Sequence, residues 1–188
     1  DNDVRCAALG ELNFGAGKGC ENLICITVGT GIGGAIVVNN KLWRGKDYNA
    51  GEIGRMLVDG VHWEKMASIT ALIKSAKLRE LDIEEGKDVF DLYDQGDRVA
   101  QLVVGEFYRN LGKGIANLVY IFNPEAIIIG GGVSAREGFG NEINAYADYY
   151  LVDGFQDTVD IIPAQFKNDG GILGAYCNFI DRYGKGEE

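Results

Sequence analysis

Short hydrophobic runs alternate with polar and glycine-rich stretches along this chain, and the spacing of the apolar positions distinguishes strands from helices. Brief runs rich in β-branched residues predict strands at 23–28, 35–38, 41–43, 126–129 and 159–163. Apolar positions at helical spacing predict helices at 4–14, 64–81, 99–122, 141–151 and 171–183. The strands come first as a meander and later alternate with helices, so the sequence predicts an α/β fold with a mixed sheet.

A few polar positions predict where helices begin or end. Asp3 stands in the N-cap position of the first helix. Pro124 stops the long helix, because the residue before a proline avoids helical backbone angles. Ser134 and Glu137 match the S-x-x-E pattern of a capping box, which predicts a helix that begins directly after Gly130–Gly132.

The composition is that of one globular domain or a tight pair, with 188 residues, 46% of them hydrophobic and 24% charged. Eighteen basic and 28 acidic residues give a net charge of -10, the wrong sign for binding nucleic acid through its phosphates. We therefore expect no nucleic-acid partner for this domain. Glycine is in excess, with 28 residues, and such an excess suggests close approach of the backbone to a ligand.

Side chains that could bind a metal or act as nucleophiles are sparse. His62 is the only histidine, so the sequence predicts neither a His-based catalytic pair nor a Cys/His metal cluster. No apolar run is long enough to span a membrane and no leader precedes the chain, so we expect a cytoplasmic protein without membrane contact. The spacing of the four cysteines favours reduced structural thiols at Cys6, Cys20, Cys25 and Cys177.

The first glycine cluster, Gly29–Gly34, matches the G-x-G-x-x-G pattern of dinucleotide-binding folds, and Glu52 follows it at a suitable distance. The pattern requires a helix after the loop, however, and here the β-branched run 35–38 follows, which argues against a dinucleotide-dependent oxidoreductase. A glycine turn between antiparallel strands can still bind the phosphates of a nucleotide with its N–H groups and the Thr30 hydroxyl. The alternative is a simple hairpin turn, which needs fewer glycines.

The second cluster, Gly130–Gly132, follows an apolar run that is typical of a buried strand. Glycines between a strand and a helix let a nucleotide approach the backbone. Tight packing of the strand against the helix would explain the same glycines equally well.

Acidic residues in turn contexts could bind a sugar and accept a proton from it. Asp3, preceded by Asn2, and Glu52 and Glu64 are the candidates. Taken singly, Asp3 fits an ordinary helix cap and Glu64 a solvated charge at a helix start. We expect Trp43, Trp63 and the tyrosines to serve packing, with Trp63 as a weaker candidate for stacking against a sugar ring.

Five segments, read in order, resemble the motifs of the ROK family of sugar kinases, within the actin-like ATPase and hexokinase superfamily. They are Asn2-Asp3 with AALGE at 7–11, TVGTGIGG at 27–34, AGEIG at 50–54, IIIGGGVS at 127–134 and NDGGILGA at 168–175. The resemblance spans nearly the whole chain. It implies an actin-like ATPase (ribonuclease H-like) domain with a mixed sheet and flanking helices.

The resemblance also implies an ATP-dependent kinase that phosphorylates a hydroxyl of a hexose, N-acetylhexosamine or glucoside. Asp3 would be the general base, and Asn2 and Glu52 would hydrogen-bond the sugar. Mg²⁺ would bridge the ATP phosphates. The residues implied at the phosphates and the adenosine end of ATP are Gly29, Thr30, Gly31, Gly131, Gly132 and Val133.

The chain departs from the family pattern after the AGEIG segment. Arg55 replaces a sugar-contacting histidine, and the short stretch 56–63 replaces a cysteine-rich zinc loop, so we expect no structural zinc. Glu64 aligns with the second sugar-binding glutamate of the family. Arg55 could reach a further ring or substituent oxygen, so the substrate could differ from plain glucose. This zinc-less version resembles the one seen in some β-glucoside kinases and N-acetylmannosamine kinases.

The family's N-terminal lobe, with its D-x-G-x-T phosphate motif, is not represented in the sequence. We therefore expect residues 1–188 to be a single C-terminal-type domain that is inactive alone and belongs to a bacterial homodimer. The alternative is a sugar-sensing transcriptional repressor of the same family whose DNA-binding part lies elsewhere. The intact glycine loop and Asp3 favour the kinase.

Overall fold

A five-stranded mixed sheet forms the centre of the fold, and the computed structural model describes residues 2–156, 158–166, 173–177 and 179. The strands are β1 (Leu23–Val28), β2 (Ile32–Val38), β3 (Lys41–Leu42), β4 (Leu57–Val58), β5 (Val61–His62), β6 (Ala126–Gly130) and β7 (Asp160–Pro163). The sheet order is β3-β2-β1-β6-β7, and β4 and β5 form a separate hairpin. Strands β1, β2 and β3 pair antiparallel, whereas β6 is parallel to β1 and to β7. The predicted mixed sheet is therefore confirmed.

Helices cover both faces of this sheet. They are α1 (Asp3–Phe14), α2 (Glu64–Ala67), α3 (Ile69–Leu78), α4 (Gly86–Asp94), α5 (Arg98–Phe122) and α6 (Phe139–Asp148). In β1, Leu23 and Cys25 face α1, while Ile24 and Ile26 belong to the larger core that α2–α6 share. Because both faces are buried, β1 and β6 are apolar except for Thr27 at the end of β1, and they do not alternate.

Two predicted helices have different bounds in the structure. The helix predicted at 64–81 is divided into α2 and α3, because Ser68 adopts extended backbone angles and its Oγ accepts from Ala71 N at 3.2 Å, the geometry of an N-cap. The first helix is capped by Asn2 and not by Asp3, since Asn2 Oδ1 accepts from Arg5 N at 3.0 Å. Asp3 is thus the first helical residue, and its carboxylate is left for other partners.

The predicted capping box after the second glycine cluster is wrong. Ser134 Oγ donates to Gly131 O at 2.8 Å, within a short 3-10 turn over Gly132–Ala135, and α6 begins only at Phe139. The long helix α5 is confirmed and ends at Asn123, whose φ is 41°. Helix α4 was not predicted from the sequence at all.

The C-terminal end of the described chain packs against α1. Residues 173–177 are helical, and a Cβ atom at Gly174 would lie 1.5 Å from Cys6 O, so only glycine fits there. Most of the predicted NDGGILGA motif, at 168–172, lies outside the described residues. Within the described ranges, no helix combines the length and apolarity needed to cross a membrane.

Candidate active site

The two glycine clusters leave the sheet at the same edge. Strands β1 and β6 are parallel neighbours, with Thr27 opposite Gly130, so the turns that follow both strands lie side by side. Crevices at the carboxyl ends of parallel strands are where α/β folds bind their ligands. This edge is therefore the first place to look for a nucleotide site.

The first glycine loop is a tight turn that faces open space. Gly29 N donates to Gly31 O at 3.0 Å, and Gly29 O accepts from Ile69 N at 2.8 Å, which fixes the loop to the start of α3. A Cβ atom at Gly29 would meet nothing within 4 Å, and the Thr30 side chain is exposed. The loop is thus held to α3 through Gly29 O, while the side of Gly29 where a Cβ atom would lie is open to a ligand.

In the second cluster, Gly131 is required by close packing, whereas the adjacent Gly132 faces open space. Gly131 has φ +99°, and a Cβ atom there would lie 2.2 Å from Val28 O, so this residue must be glycine for the turn to pass β1. A Cβ atom at Gly132 would meet nothing within 4 Å. The packing interpretation therefore explains Gly131, and the ligand interpretation remains open for Gly132.

Both clusters border one cavity of about 320 Å³, here called the phosphate cavity. Its lining residues are Thr27, Val28, Gly29, Thr30, Gly31, Ile32, Gly33, Glu64 and Gly131. Glu64 reaches it from α2, and a Cβ atom at Gly31 would lie 2.9 Å from Glu64 Oε2. The structure thus brings the glycine loop, the second cluster and one predicted sugar-binding acid to one place.

A second cavity of about 430 Å³, here called the distal cavity, lies next to Gly132 and the residues that follow it. Its lining residues are Ile69, Glu85, Gly86, Lys87, Phe90, Asp91, Asp94, Gly132, Val133, Ala135 and Arg136. Gly131 borders the phosphate cavity and Gly132 the distal one, so the two cavities lie on either side of a single turn. Helix α4 forms one wall.

Asp3 lies beside the start of β2. Its neighbour Val4 is buried, and Val4 Cγ1 would be 3.5 Å from a Cβ atom at Gly33, which lines the phosphate cavity. The Asp3 and Asn2 side chains are exposed at this end of α1. Helix α1 thus carries the predicted base to the side of the sheet where the glycine loop turns into β2.

The AGEIG segment rests on β2 through glycines. Gly51 has φ +91°, and a Cβ atom there would lie 2.5 Å from Gly34 O, while a Cβ atom at Gly54 would lie 2.2 Å from Ile32 O. No side chain fits at either contact. Of the two residues between them, Ile53 is buried and Glu52 is exposed, directly before a short 3-10 turn over Ile53–Arg55.

A buried arginine that the sequence did not single out ties this segment to α1. The Arg5 guanidinium donates through Nη2 to Tyr48 O at 2.6 Å and to Ala50 O at 2.9 Å. Arg5 stands two residues after Asp3, and Ala50 two residues before Glu52. This contact therefore sets the predicted base and the predicted sugar-binding acid relative to each other.

A short hairpin, β4 and β5, separates Arg55 from Glu64. His62 Nδ1 lies 2.8 Å from Arg55 O, and Lys113 Nζ forms an ion pair with Asp59 Oδ2 at 2.5 Å, which joins the hairpin to α5. Arg55 itself is exposed. The hairpin occupies the stretch where the sequence predicted the loss of a zinc loop.

Trp63 packs in the core, as the favoured interpretation of the sequence expects, and the weaker alternative of a sugar-stacking platform is wrong. Its side chain is 0% exposed, and its Nε1 donates to Asn110 O in α5 at 2.8 Å. An indole buried in this way cannot reach a ligand. Instead it anchors the residue that follows it, Glu64.

The comparison with known proteins decides the family, because the ROK family pattern matches residues 1–182. The chain belongs to the ROK family. It is 34% identical to the β-glucoside kinase of Listeria monocytogenes, over 100% of this chain and 66% of that protein. It is 38% identical to the glucokinase of Streptomyces coelicolor, over 93% of this chain and 64% of that protein. The chain thus spans slightly less than two thirds of these relatives' length.

Solved ROK structures have the same fold. A ROK glucokinase from Streptomyces griseus in complex with glucose and AMPPNP matches 93% of this chain and 65% of its own, with a TM-score of 0.84 and 35% identity. A ROK-family transcriptional regulator, a homologue of the E. coli MLC protein, matches 93% of this chain and 49% of its own, with a TM-score of 0.79 and 25% identity. The predicted actin-like ATPase fold is confirmed.

The ROK site of this chain is built from backbone, carboxylates and hydroxyls, with no metal cluster of its own among the residues described. In that part of the chain, no group of three or more His, Cys, Asp or Glu could hold a metal ion. All four cysteines are free, as predicted. Burial, with a smaller contribution from Glu11, raises the pKa of Cys25 to about 12, so this thiol does not ionise near neutral pH.

Proposed function

We propose that this chain carries the C-terminal domain of an ATP-dependent sugar kinase, which transfers the γ-phosphoryl group to a hydroxyl of a hexose, N-acetylhexosamine or glucoside. The observation that carries the proposal is the phosphate cavity, where the loop Gly29–Gly31, the turn at Gly131 and the carboxylate of Glu64 meet. A phosphoryl donor and a polar acceptor need such groups within reach of each other.

The donor would lie across the two cavities. The N–H groups of Thr30 and Gly31 and the Thr30 hydroxyl suit the anionic phosphates, and the open space at Gly29, whose own N–H donates to Gly31 O, leaves room for them. The nucleoside would enter the distal cavity past Gly132 and Val133, where the apolar side chains of Ile69 and Phe90 can contact a base. Mg²⁺ would come as part of Mg-ATP, since in such reactions the substrate phosphates and water supply most of its ligands.

The acceptor sugar would lie between the N-terminus of α1 and the AGEIG segment. Asp3 accepts the proton of the reacting hydroxyl, whose oxygen then forms a bond to the γ-phosphorus while the bond to the ADP oxygen breaks. Asn2, Glu52 and Glu64 hydrogen-bond the remaining hydroxyls and hold the ring in place. Arg55, on the exposed side, adds donors for a further ring or substituent oxygen.

The relatives support this activity at the level of the class. β-Glucoside kinase and glucokinase are the names of two relatives with 34% and 38% identity, and the S. griseus neighbour was crystallised with glucose and AMPPNP. We propose a substituted sugar over plain glucose because Arg55 takes the place of the family's histidine. The rest of the cleft would come from an N-terminal lobe, and residues 1–188 alone would turn over little substrate.

A sugar-sensing repressor is the second candidate, since a ROK transcriptional regulator shares the fold. A regulator needs a sugar site but has no use for an open phosphate cavity beside it. The cavity therefore favours the kinase.

The test is turnover by the complete protein, which includes whatever precedes Asp1. Purified protein is supplied with Mg-ATP and a panel of hexoses, N-acetylhexosamines and β-glucosides, and ADP release is measured for each. A kinase releases ADP with at least one sugar class and none without sugar. Specific binding to DNA that a sugar abolishes, with no ADP release on any sugar, would establish the repressor instead.

A further inference from the structure

Arg136 is the most heavily engaged side chain at the distal cavity, and neither the family motifs nor the sequence pattern singles it out. Its side chain is only 16% exposed although it lines the cavity. Nη1 donates to Glu142 Oε2 at 2.6 Å, and Nη2 forms an ion pair with Asp94 Oδ1. The guanidinium also lies 5.5 Å from the ring centre of Phe90 and 5.3 Å from that of Tyr93.

These contacts join three separate elements around one cavity. Asp94, Phe90 and Tyr93 belong to α4, which is one wall, and Glu142 lies in the first turn of α6. Arg136 follows the 3-10 turn that forms the opposite wall, and its own N–H donates to Val133 O at 3.2 Å. Among the described residues, no other charged side chain connects that turn to the end of α4.

The charge balance of the cavity depends on the same residue. Its rim carries the acids Glu85, Asp91 and Asp94, and the one other cation in the lining, Lys87, is already paired with Asp91. Without Arg136, the Asp94 and Glu142 carboxylates would lose their partner next to a site for a negatively charged nucleotide. Like charges disfavour such binding, and a carboxylate that loses a partly buried partner seeks water and moves.

We propose that Arg136 is a positioning residue for the nucleotide, which sets the width and charge of the distal cavity by holding α4 against the Gly132–Ala135 turn. The inference rests on the proposed function, because it takes the distal cavity as the nucleoside end of the ATP site. It predicts a defect in nucleotide affinity that leaves the sugar site and the chemical step intact. The planar guanidinium of Arg136 binds the carboxylates of Asp94 and Glu142 at once, which the ammonium group of a lysine cannot do equally well.

The variants are Arg136→Met and Arg136→Lys in the complete protein, with Arg79→Met as the matched control. Arg79 forms a bidentate pair with Glu106, at 2.7 and 2.9 Å, between α3 and α5, and lines neither the phosphate nor the distal cavity. The measurements are the Kd for AMPPNP by calorimetry, the KM for ATP, the KM for the sugar and kcat. A thermal melt of each variant reports whether it is folded.

Arg136→Met is expected to raise the Kd for AMPPNP and the KM for ATP about tenfold, with kcat and the sugar KM within about twofold of wild type. Arg136→Lys should fall between the two, because it keeps the charge and loses the fork. Arg79→Met should change neither nucleotide parameter. If Arg136→Met does not fold, Arg136→Lys tests the proposal by the same comparison of nucleotide affinity with kcat and the sugar KM.

An unchanged AMPPNP affinity in a folded variant, or equal losses in kcat and both KM values, would overturn the proposal and leave Arg136 a packing residue. Calorimetry separates this failure from that of the proposed function, since it requires no turnover. Wild-type protein that binds AMPPNP but phosphorylates no sugar refutes the kinase and still tests Arg136. Wild-type protein that binds no AMPPNP refutes both.

Discussion

The indole of Trp63 lies directly against Gly114 of α5, so closely that a Cβ atom at Gly114 would be 2.0 Å from indole Cε2. The hydrogen bond from Trp63 Nε1 to Asn110 O holds the ring in the same place. Because Trp63 immediately precedes Glu64, this contact fixes where α2 begins. The position of the Glu64 carboxylate in the phosphate cavity thus depends on the absence of a side chain at Gly114, 50 residues further along the chain.

Gly114→Ala should therefore displace Trp63 and, with it, Glu64. We expect a loss of about 1–3 kcal/mol in the free energy of unfolding, the usual range for overpacking a core. We also expect a rise in the sugar KM that exceeds any change in the KM for ATP. Urea unfolding and steady-state kinetics measure the two effects.

Gly105→Ala is the matched control, because it adds the same methyl group to the same helix. There the nearest atoms would lie 3.5 and 3.6 Å away, which is ordinary contact. Alanine has the higher helix propensity, so Gly105→Ala should be neutral or stabilising by up to about 1 kcal/mol. Equal destabilisation by the two substitutions would show that the Trp63 contact has no special role.

Gly131 and Gly132 are neighbours, but substitution by alanine should lower the stability strongly at Gly131 and hardly at all at Gly132. Gly131 needs a positive φ and would place a Cβ atom 2.2 Å from Val28 O, whereas Gly132 has open space. Gly131→Ala should cost several kcal/mol, from backbone strain of about 1–3 kcal/mol and from the clash with β1. Gly132→Ala should change the unfolding free energy by no more than about 0.5 kcal/mol. Thermal or urea unfolding of the two variants checks both values, and similar losses would contradict the geometry of this turn.

The Cys25 thiol should make stability fall at alkaline pH. Burial raises its pKa from the ordinary value of 9.0 to about 12 in the folded state. The unfolded chain therefore releases the proton first, and the contribution to stability is full below pH 9 and is lost as the pH rises toward 12. The difference in unfolding free energy between wild type and Cys25→Ala, measured from pH 7 to 11, should shrink as the pH rises. A difference that stays constant would show that the thiol ionises as readily in the folded protein.

The sequence was sufficient for the elements whose burial follows a regular pattern. The apolar runs of β1 and β6 and the 25 residues of α5 are buried along one face or throughout, so periodicity alone locates them. Helix α4 has only nine residues, and its apolar positions Val89, Phe90, Leu92 and Tyr93 extend over little more than one turn, which is shorter than the window in which helical spacing is recognised. Missing α4 also meant missing one wall of the distal cavity.

The parts of the site that consist of glycine-rich backbone could be predicted from the sequence. The parts that depend on tertiary packing of side chains could not. The glycine clusters are visible in the sequence as runs of one residue type, and at positions such as Gly131 the contacts admit no side chain. The roles that the structure gives to Arg5, Trp63 and Arg136 depend on partners 42 or more positions away for most of their contacts. The sequence favours packing for Trp63 but leaves a stacking role open, because its burial against α5 cannot be read from its own segment.

The most direct test of the kinase proposal is Asp3→Asn in the complete protein, measured by kcat and by the calorimetric Kd for the sugar. Asparagine keeps the size and hydrogen-bonding ability of Asp3 and cannot accept the proton, so kcat should fall by about 10²–10⁴ while the sugar Kd changes little. Asp153→Asn removes an exposed carboxylate that lines neither cavity and should change neither value. A folded Asp3→Asn protein with undiminished kcat would contradict the assignment of Asp3 as the base and, with it, the mechanism.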